Sequence, residues 1–301
     1  MASQKVLLLG KSGLIGNALA KKLTNASAFH VLAPSSQELN LLNATEVEEY
    51  FSTHRPDIVI NASGKSGGVA ANVKMPADFS LENTIMSTSV LNASLKYKAS
   101  KLVQFIPACV YPLNASLPYR ESSILSGPIE ESSKHFAVAK LNALSMAEAM
   151  NRQYGTKFIS VIPSNVYGPQ SREASENSHV IPSLLKRMEQ ANSTQAATVE
   201  IWGDGDNQRD FLHADDLAAA TMHILQYEQA PSVINVGSNE LTSIAELATL
   251  IQSHVGFSGS LSFVNNGLSG AKHKYLDTSV MSQLGWKAQI PLKKGITTLR
   301  S

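Results

Sequence analysis

The sequence has a single cysteine, Cys109, among its 301 residues. One thiol excludes an internal disulfide and a metal site built from several cysteines, and we assign no metal site to the chain. The sequence also lacks an apolar run near the roughly 20 residues that span a bilayer. An N-terminal apolar segment with a small-residue cleavage site is missing as well. These absences predict a cytoplasmic protein with no membrane partner.

An excess of charge of one sign is also missing, because 25 Lys and Arg residues face 24 Asp and Glu residues. A net charge of +1 gives no long-range field that would recruit nucleic acid, so local groups must hold any anionic ligand. Hydrophobic residues make up 43% of the chain and charged residues 16%, which is typical of a soluble globular protein rather than a disordered one.

Short apolar runs alternate with longer helical patterns in the first half of the chain, and this order predicts a parallel sheet with helices on both faces. The predicted strands are Val6 to Leu9, Val31-Leu32, Ile58 to Ile60, Leu102 to Ile106, Phe158 to Ile162 (ended by Pro163) and Ser232 to Val236. The predicted helices are Leu14 to Leu23, Ala77 to Tyr97 and Phe136 to Gln153. Residues after Pro163 are more broken, with turn signals at Gly168-Pro169 and Gly203-Asp204-Gly205. We therefore assign residues 1–164 with about 209–237 to a dinucleotide-binding domain, and about 165–208 with 238–301 to a second domain for substrate.

Three glycines, Gly10, Gly13 and Gly16, lie between the first predicted strand and the first helix. Glycine lets the backbone turn tightly and approach a diphosphate, which then rests on the N–H groups of the helix N-terminus. The spacing alone is weak evidence, but its position at this junction predicts a dinucleotide site. The alternative is a turn that merely needs glycine.

The form of the dinucleotide stays open. An acidic residue at the end of the second strand is typical of NAD enzymes, and an arginine there of NADP enzymes. This chain has Ala33-Pro34-Ser35-Ser36 in that region, with neither. Lys11 would meet a 2′-phosphate only as a point charge, so the expected cofactor is NADP or NAD.

A series of longer motifs extends over nearly the whole chain, from Gly10 to Trp286. They are Glu38-Leu39-Asn40-Leu41-Leu42, Gly67-Gly68-Val69-Ala70-Ala71-Asn72, Cys109-Val110-Tyr111-Pro112, Asn151-Arg152-Gln153-Tyr154-Gly155, Asn165-Val166-Tyr167-Gly168-Pro169, Asn177-Ser178-His179-Val180-Ile181-Pro182, Trp202-Gly203, Arg209-Asp210-Phe211-Leu212-His213 and Leu284-Gly285-Trp286. With these motifs the chain resembles the GDP-L-fucose synthases (GDP-4-keto-6-deoxymannose 3,5-epimerase/4-reductases) of the extended short-chain dehydrogenase/reductase superfamily. The resemblance implies a Rossmann-type doubly wound parallel sheet with a smaller mixed α/β nucleotide-sugar-binding domain, an NADP or NAD cofactor and a GDP-sugar substrate.

The resemblance also implies catalytic residues. Members of that family transfer protons with a cysteine at the position of Cys109 and a histidine at the position of His179. Moving protons at the carbons beside a C4 ketone needs two groups on opposite ring faces, and a thiol and an imidazole suit that task. The competing interpretations are a small buried cysteine just after a strand and a histidine that caps a helix or packs in the core.

Substrate residues follow from the same resemblance. Arg187 matches an arginine on the nucleotide diphosphate, Arg209 one near the nucleotide, Asn165 a residue beside the sugar, and Trp202 and Lys274 other substrate-binding positions. Arginine forks suit phosphate oxygens. The alternative for Arg187 is a solvated helix face shared with Lys186.

The chain departs from the family where the ketone would be reduced. Reductases of this superfamily use a Ser and a Tyr-x-x-x-Lys group, of which only the lysine remains, as Lys140, a residue that would also hold the cofactor ribose. Phe136 occupies the tyrosine position and has no proton to give, and Pro107-Ala108 replaces two serines. Ser12 and Ser36 stand where the family directs arginines at the NADP 2′-phosphate. A positioned acid contributes about 10²–10⁴ in rate, so reduction in the family's usual form is in doubt.

Four hypotheses follow from this pattern. The first is a GDP-4-keto-6-deoxyhexose epimerase with Cys109 and His179 active and the NADPH-reductase half impaired. The second is a full GDP-L-fucose synthase with a relocated proton donor, for which His135, Ser133 and Tyr119 are candidates. The third is a catalytically inactive regulatory protein that binds a nucleotide sugar or dinucleotide, and the fourth is proton transfer on an unrelated small molecule. The resemblance further implies a homodimer, with the predicted helices around Leu81–Tyr97 and Ala137–Gln153 pairing across a two-fold axis.

Overall fold

The structure is a computed structural model that describes residues 3–169, 179–264 and 272–299. The motif residues Asn177 and Ser178 lie outside the described residues. The elements of the first half are β1 (Gln4–Leu9), α1 (Leu14–Thr24), β2 (Phe29–Leu32), α2 (Ala44–His54), β3 (Ile58–Asn61), α3 (Val69–Lys74), α4 (Pro76–Lys96), β4 (Lys101–Phe105), α5 (Lys134–Tyr154) and β5 (Phe158–Pro163). Those of the second half are β6 (Asn165–Tyr167), α6 (Val180–Ser193), β7 (Thr198–Trp202), β8 (Gln208–His213), α7 (Ala214–Ile224), β9 (Val233–Val236), β10 (Leu241–Ser243), α8 (Ile244–Val255), β11 (Ser260–Val264), β12 (His273–Lys274), α9 (Ser279–Gln283) and α10 (Leu292–Ile296).

A six-stranded parallel sheet has the order β2-β1-β3-β4-β5-β9. Strand β3 is buried along its whole length, as expected for a strand covered on both faces. The strand order reverses beside β1, since β2 and β3 flank it on opposite sides. Ligands of such sheets bind outside the carboxyl ends of the strands at this switch point. The fold therefore directs the search for a site to the residues just after β1 and β3.

Helices cover both faces of this sheet. Helices α1 and α7 pack together on one face, in an apolar cluster with Leu19, Leu23 and Leu217. Helices α2, α4 and α5 cover the other face, in a cluster with Phe51 and Leu144. The predicted doubly wound fold class is confirmed.

Smaller sheets surround β8 and β7. Strand β8 pairs with β6, β10 and β12, and β7 pairs in parallel with β11. A third apolar cluster lies here, formed by α6, β7, α8 and α10 around Met188 and Ile251. In the described ranges no helix is long and apolar enough to cross a membrane, and no group of three or more His, Cys, Asp or Glu side chains could hold a metal ion.

The predicted elements lie within one or two residues of the observed ones. The prediction that Pro163 stops the fifth strand is confirmed, because Pro163 is the last residue of β5, where it pairs with Val236. Its missing N–H would matter inside a strand but not at its end, where the next N–H, of Ser164, donates to the Val236 carbonyl at 2.9 Å. Helix α2 is missed, because only Val47 and Phe51 of it are buried and the apolar stripe is narrow.

A buried asparagine joins the main sheet to two surrounding segments. Asn235 of β9 is fully buried, and Tyr111 donates its hydroxyl to Asn235 Oδ1 at 2.6 Å. Asn235 Nδ2 donates to the carbonyls of Tyr119 at 2.9 Å and Asp277 at 3.1 Å. The edge of the sheet, the segment before α5 and the start of α9 are thereby held by one side chain.

Candidate functional site

The turn after β1 fits the diphosphate of a dinucleotide. Gly10 has φ +82°, and a Cβ added there would lie 2.7 Å from the carbonyl carbon of Ala62, just after β3. Helix α1 begins after Gly13 with no side-chain cap and no acidic residue in its first turn. Its first N–H groups and the positive end of its dipole therefore suit an anion. The three glycines are found together at the switch point, as the sequence predicts.

Gly16→Ala should abolish dinucleotide binding and destabilise the fold. A Cβ on Gly16 would lie 1.9 Å from the carbonyl oxygen of Gly10, which is backbone and cannot move without opening the turn. Isothermal titration with NAD and NADP, together with a thermal melt, measures both effects. Gly13→Ala is the matched control for the thermal melt, since its Cβ would lie 3.5 Å from the same oxygen and the protein should melt as the wild type does. Equal binding by the Gly16→Ala protein would contradict this description of the turn.

The segment after β2 contains an acid that the sequence interpretation missed. Glu38 follows β2, and its carboxylate accepts the Ser35 N–H at 2.7 Å. That hydrogen bond, together with nearby Lys11, lowers the pKa of Glu38. Ser12 is exposed in the turn between Gly10 and Gly13. Its sequence separation from Gly16 could have identified Glu38, since an acid about 20 residues after the glycines is typical of dinucleotide sites.

Lys140 of α5 is buried beside Gly64, which follows β3. Its side chain is 7% exposed, and burial lowers its pKa to about 8, opposed by attraction to an ionised Cys109. A Cβ added to Gly64 would lie 3.1 Å from Lys140 Nζ and 3.0 Å from Asn83 Oδ1. Asn83 is a second residue that the sequence interpretation missed. Its Nδ2 donates to the carbonyls of Lys65 and Phe79, which leaves Oδ1 buried and unpaired among the described residues.

Cys109 lies beside this lysine. It occupies a 3₁₀ turn, Ala108–Val110, against which α5 packs. Burial raises the pKa of the Cys109 thiol, while the positive charge of Lys274 and the hydroxyl of Ser133 oppose that rise. The structure thus brings together three residues from distant parts of the sequence, Cys109, Lys140 and Lys274.

Apolar groups take the place of proton donors around Lys140. Phe136 lies one helical turn before it on α5, and its half-buried ring packs edge-on against Phe79 at a centroid distance of 5.8 Å. Pro107 immediately precedes the turn that carries Cys109 and offers neither a hydroxyl nor an N–H. The residue one turn before Lys140 on α5 is therefore a half-buried phenyl ring with no proton to donate.

Lys140→Met is expected to stabilise the protein at neutral pH. Folding lowers the lysine pKa from about 10.4 to about 8, so the folded state disfavours the ammonium form. The full cost of burying that charge applies below about pH 8, and it disappears as the pH rises through about 10.4. We expect a gain in the free energy of unfolding of roughly 1–3 kcal/mol at pH 7 that shrinks toward pH 10. Denaturant titration at both pH values measures it, with the exposed Lys134→Met as control; a loss of stability at pH 7 would refute it.

His179 occupies the N-cap position of α6, as the helix-capping alternative predicts, although its side chain makes no capping hydrogen bond. The residue is exposed, yet the protein around its ring desolvates it enough to lower its pKa. Within the described ranges, no hydrogen bond or ion pair joins His179 to Cys109.

Arg187 and Trp202 are neighbours across α6 and β7. Arg187 donates from Nη2 to the carbonyl of Glu200, and its guanidinium lies over the Trp202 ring at 5.6 Å from the centroid. Arg187 is half-buried by these contacts, and this partial burial lowers its pKa, while its neighbour Lys186 is exposed. Trp202 is 61% exposed, which leaves a cation and an indole available to a ligand.

Arg209, Lys274 and Asn165 meet on or beside β8. Lys274 is paired with Arg209 in the register of β12 and β8, and Asn165 Nδ2 donates to the Asp210 carbonyl at 2.9 Å. Arg209 Nη1 donates to the Gln208 carbonyl at 2.7 Å, and burial lowers the pKa of Arg209. Two partly desolvated cations thus lie side by side, as an anionic ligand would require.

Comparisons with known proteins agree with this geometry. The NAD dependent epimerase/dehydratase family matches residues 6–237. A probable GDP-L-fucose synthase 1 of Oryza sativa subsp. japonica is 38% identical over 97% of this chain and 89% of its own length. The GDP-L-fucose synthase of Escherichia coli K12 is 35% identical over 99% of this chain and 96% of its own. Among solved structures, MlghC, a GDP-mannoheptose C4 reductase from Campylobacter jejuni with NADP bound, is 32% identical with a TM-score of 0.90, covering 99% of this chain and 98% of that one.

Proposed function

Because this chain belongs to the NAD dependent epimerase/dehydratase family, within its GDP-L-fucose synthase branch, we propose that it is a GDP-4-keto-6-deoxyhexose epimerase. It is an NAD(P)-dependent enzyme of that family, with a Rossmann-type sheet and an intact glycine turn. In the proposed reaction, Cys109 and His179 move protons at the carbons that flank the C4 ketone, while reduction of that ketone is impaired.

One observation carries the proposal. Cys109 lies beside the buried Lys140, while the position one helical turn before that lysine holds the phenyl ring of Phe136. Cys109 can act as the base that removes a proton from carbon. Phe136 stands where a reductase of this superfamily has the acid that protonates the carbonyl oxygen. This combination favours proton transfer over reduction.

In the proposed mechanism, the Cys109 thiolate removes a proton from C3 or C5. The C–H bond breaks, an S–H bond forms, and the electron pair moves onto the C4 oxygen. His179 then returns a proton on the opposite ring face, or the two residues act in the reverse order. Burial disfavours the thiolate, and Lys274 favours it. The positive charge of Lys274 therefore helps keep the base available.

Lys140 supplies the charge that the enolate oxygen needs in this proposal. Its ammonium is almost fully buried, and a charge of opposite sign is stabilised more strongly there than in water. Asn83 Oδ1 lies on the same side of Gly64 and can accept a hydrogen bond from Nζ or from a bridging water. The same lysine can meet the cofactor ribose, which couples cofactor and substrate in one cleft.

The dinucleotide is held in this proposal by Gly10, Gly13, Gly16, Lys11 and Lys140. A bound nicotinamide donates or accepts a hydride, and proton exchange beside the ketone requires no such transfer. The protein residues then orient the dinucleotide and exclude water from the cleft. Glu38 suits the free 2′-hydroxyl of NAD and Lys11 suits the 2′-phosphate of NADP, and the two residues lie near each other.

The GDP portion of the substrate is assigned to the surface of the smaller sheets. Arg187 with Trp202, and Arg209 with Lys274, place cations and an exposed indole where a diphosphate and a base would bind. Asn165 lies nearer the main sheet and is proposed to meet the sugar. The third apolar cluster supports the proposed division into two domains, although Met281 of α9 packs into the core of the main sheet.

A homodimer through α4 and α5 is also proposed. These helices pack closely on each other within one chain, and their outer faces expose Leu81 (62%) and Val138 (49%). Such side chains on two adjacent helices suit an isologous contact. Analytical ultracentrifugation of the purified chain tests it, and a monomer at micromolar concentration would remove it.

The test of the function is hydrogen exchange into the substrate. Purified protein is mixed with GDP-4-keto-6-deoxymannose in D₂O, and deuterium at C3 and C5 is followed by NMR with and without NADPH or NADH. Exchange without reduced cofactor supports the epimerase. GDP-fucose that accumulates only with a nicotinamide cofactor would show that reduction survives, and an unlabelled, unreduced substrate would remove the enzyme proposal for this sugar.

A further inference from the structure

A buried hydroxyl lies close to Cys109. Ser133 ends the 3₁₀ turn Glu131–Ser133 and immediately precedes α5. Its Oγ is buried and makes no well-directed hydrogen bond to any residue that the structure describes. Leaving a buried hydroxyl unpaired costs about 1–3 kcal/mol, so native proteins rarely do so without a reason.

The hydroxyl does not serve the helix that follows it. A serine before a helix usually accepts an N–H of the first turn, but Ser133 makes no such capping bond. Helix α5 instead packs against the 3₁₀ turn that carries Cys109. The hydroxyl lies near enough to the thiol to favour its ionised form. The hydroxyl is thus unused by the helix and lies beside the sulfur.

We propose that Ser133 is a positioning residue for Cys109, because its hydroxyl is placed to donate a hydrogen bond to the Cys109 sulfur when that sulfur is a thiolate. The proposal rests on the proposed function, in which the thiolate removes the substrate proton. Ser133 keeps its own proton throughout, and when the sulfur is protonated the hydrogen bond is lost. An oxygen donor gains most when its acceptor is charged, so the hydroxyl favours the thiolate over the thiol.

Three other charged groups face the same sulfur, and their effects differ in kind. Lys274 of β12 and Lys140 of α5 attract a thiolate, and Glu130, just before the 3₁₀ turn, repels it. These three effects are electrostatic, and salt weakens such an effect when the charged group is exposed to solvent. The effect of Ser133 is a short-range hydrogen bond, so salt should change it little.

The single cysteine makes this testable without a substrate. The rate at which iodoacetamide alkylates the single cysteine, measured against pH by mass spectrometry of the Cys109 peptide, reports on Cys109 alone. In Ser133→Ala we expect the midpoint of this curve to rise by about one unit, so that alkylation below the midpoint slows about tenfold. Ser133→Thr keeps a hydroxyl and should restore the wild-type curve. Ser126→Ala, which removes a hydroxyl bound to the Ser123 carbonyl, is the control and should leave it unchanged.

Curves that coincide for wild type and a folded Ser133→Ala protein would overturn the proposal. Ser133→Gly removes the same hydroxyl, so it gives the test a second variant if the alanine protein does not fold. The titration is independent of the substrate experiment. A shift in the Ser133 variants without deuterium exchange in the wild type would support this positioning role and reject the epimerase.

Discussion

Phe136→Tyr is expected to raise the rate of NADPH or NADH oxidation with a GDP-4-keto-6-deoxyhexose by about 10²-fold or more. A tyrosine at this position would lie on the same face of α5 as Lys140, one turn away. The buried ammonium would lower the pKa of the new hydroxyl and hold it toward the ketone. A well-placed acid contributes about 10²–10⁴ in rate. Stopped-flow absorbance of the reduced nicotinamide measures the change.

Phe136→Leu is the matched control for this gain, because it also removes the contact with Phe79 but adds no hydroxyl. It should remain as slow as the wild type. The double variant Phe136→Tyr with Pro107→Ser should oxidise the cofactor faster still, since the introduced serine would place a hydroxyl close to Cys109. If the wild type already oxidises the cofactor as fast as Phe136→Tyr, the proposed loss of reduction is wrong.

Cys109→Ser is expected to slow deuterium exchange at C3 and C5 by about 10²–10⁴-fold. Serine fills nearly the same volume, but its hydroxyl is not ionised near neutral pH, so the base is lost while the cleft keeps its shape. NMR in D₂O gives the rate for each carbon. Binding of the dinucleotide, which uses the turn after β1, should stay within a factor of two or three.

His179→Gln separates the two halves of the same reaction. If Cys109 removes the proton and His179 returns it, this variant should still exchange hydrogen through Cys109 while inversion at the ring carbon falls. If the order is reversed, exchange and inversion should fall together. Unchanged inversion in both single variants would remove Cys109 and His179 from the mechanism.

Much of the dinucleotide half follows from the sequence. The spacing of Gly10, Gly13 and Gly16 specifies a backbone turn, and continuous apolar runs such as Ile58 to Ile60 specify buried parallel strands. Helix α2 illustrates a signal that was present but unused. Asn43 accepts the N–H groups of Thr45 and Glu46 and donates to the Glu46 carboxylate, a pattern that marks a helix start from sequence alone.

The contacts of the catalytic cluster could not be obtained in this way. Lys274 reaches the neighbourhood of Cys109 because β12 pairs with β8, and strands of two and six residues give no pattern that predicts such pairing. The unpaired side-chain oxygens of Asn83 and Ser133 result from tertiary packing. Sequence alone does not tell which polar side chains will be buried without a hydrogen-bond partner. Sequence identifies chemical groups, and tertiary structure decides which of them meet.

The buried amide of Asn235 has a consequence for how the molecule opens. Because it binds Tyr111, Tyr119 and the carbonyl before α9, the segment ahead of α5 cannot detach while β9 stays in the sheet. Loss of the anchored parts of that segment therefore requires these hydrogen bonds to break, which couples its opening to that of the sheet edge. Stability of the 3₁₀ turn that holds Cys109 is thereby linked to the pairing of a strand distant in sequence.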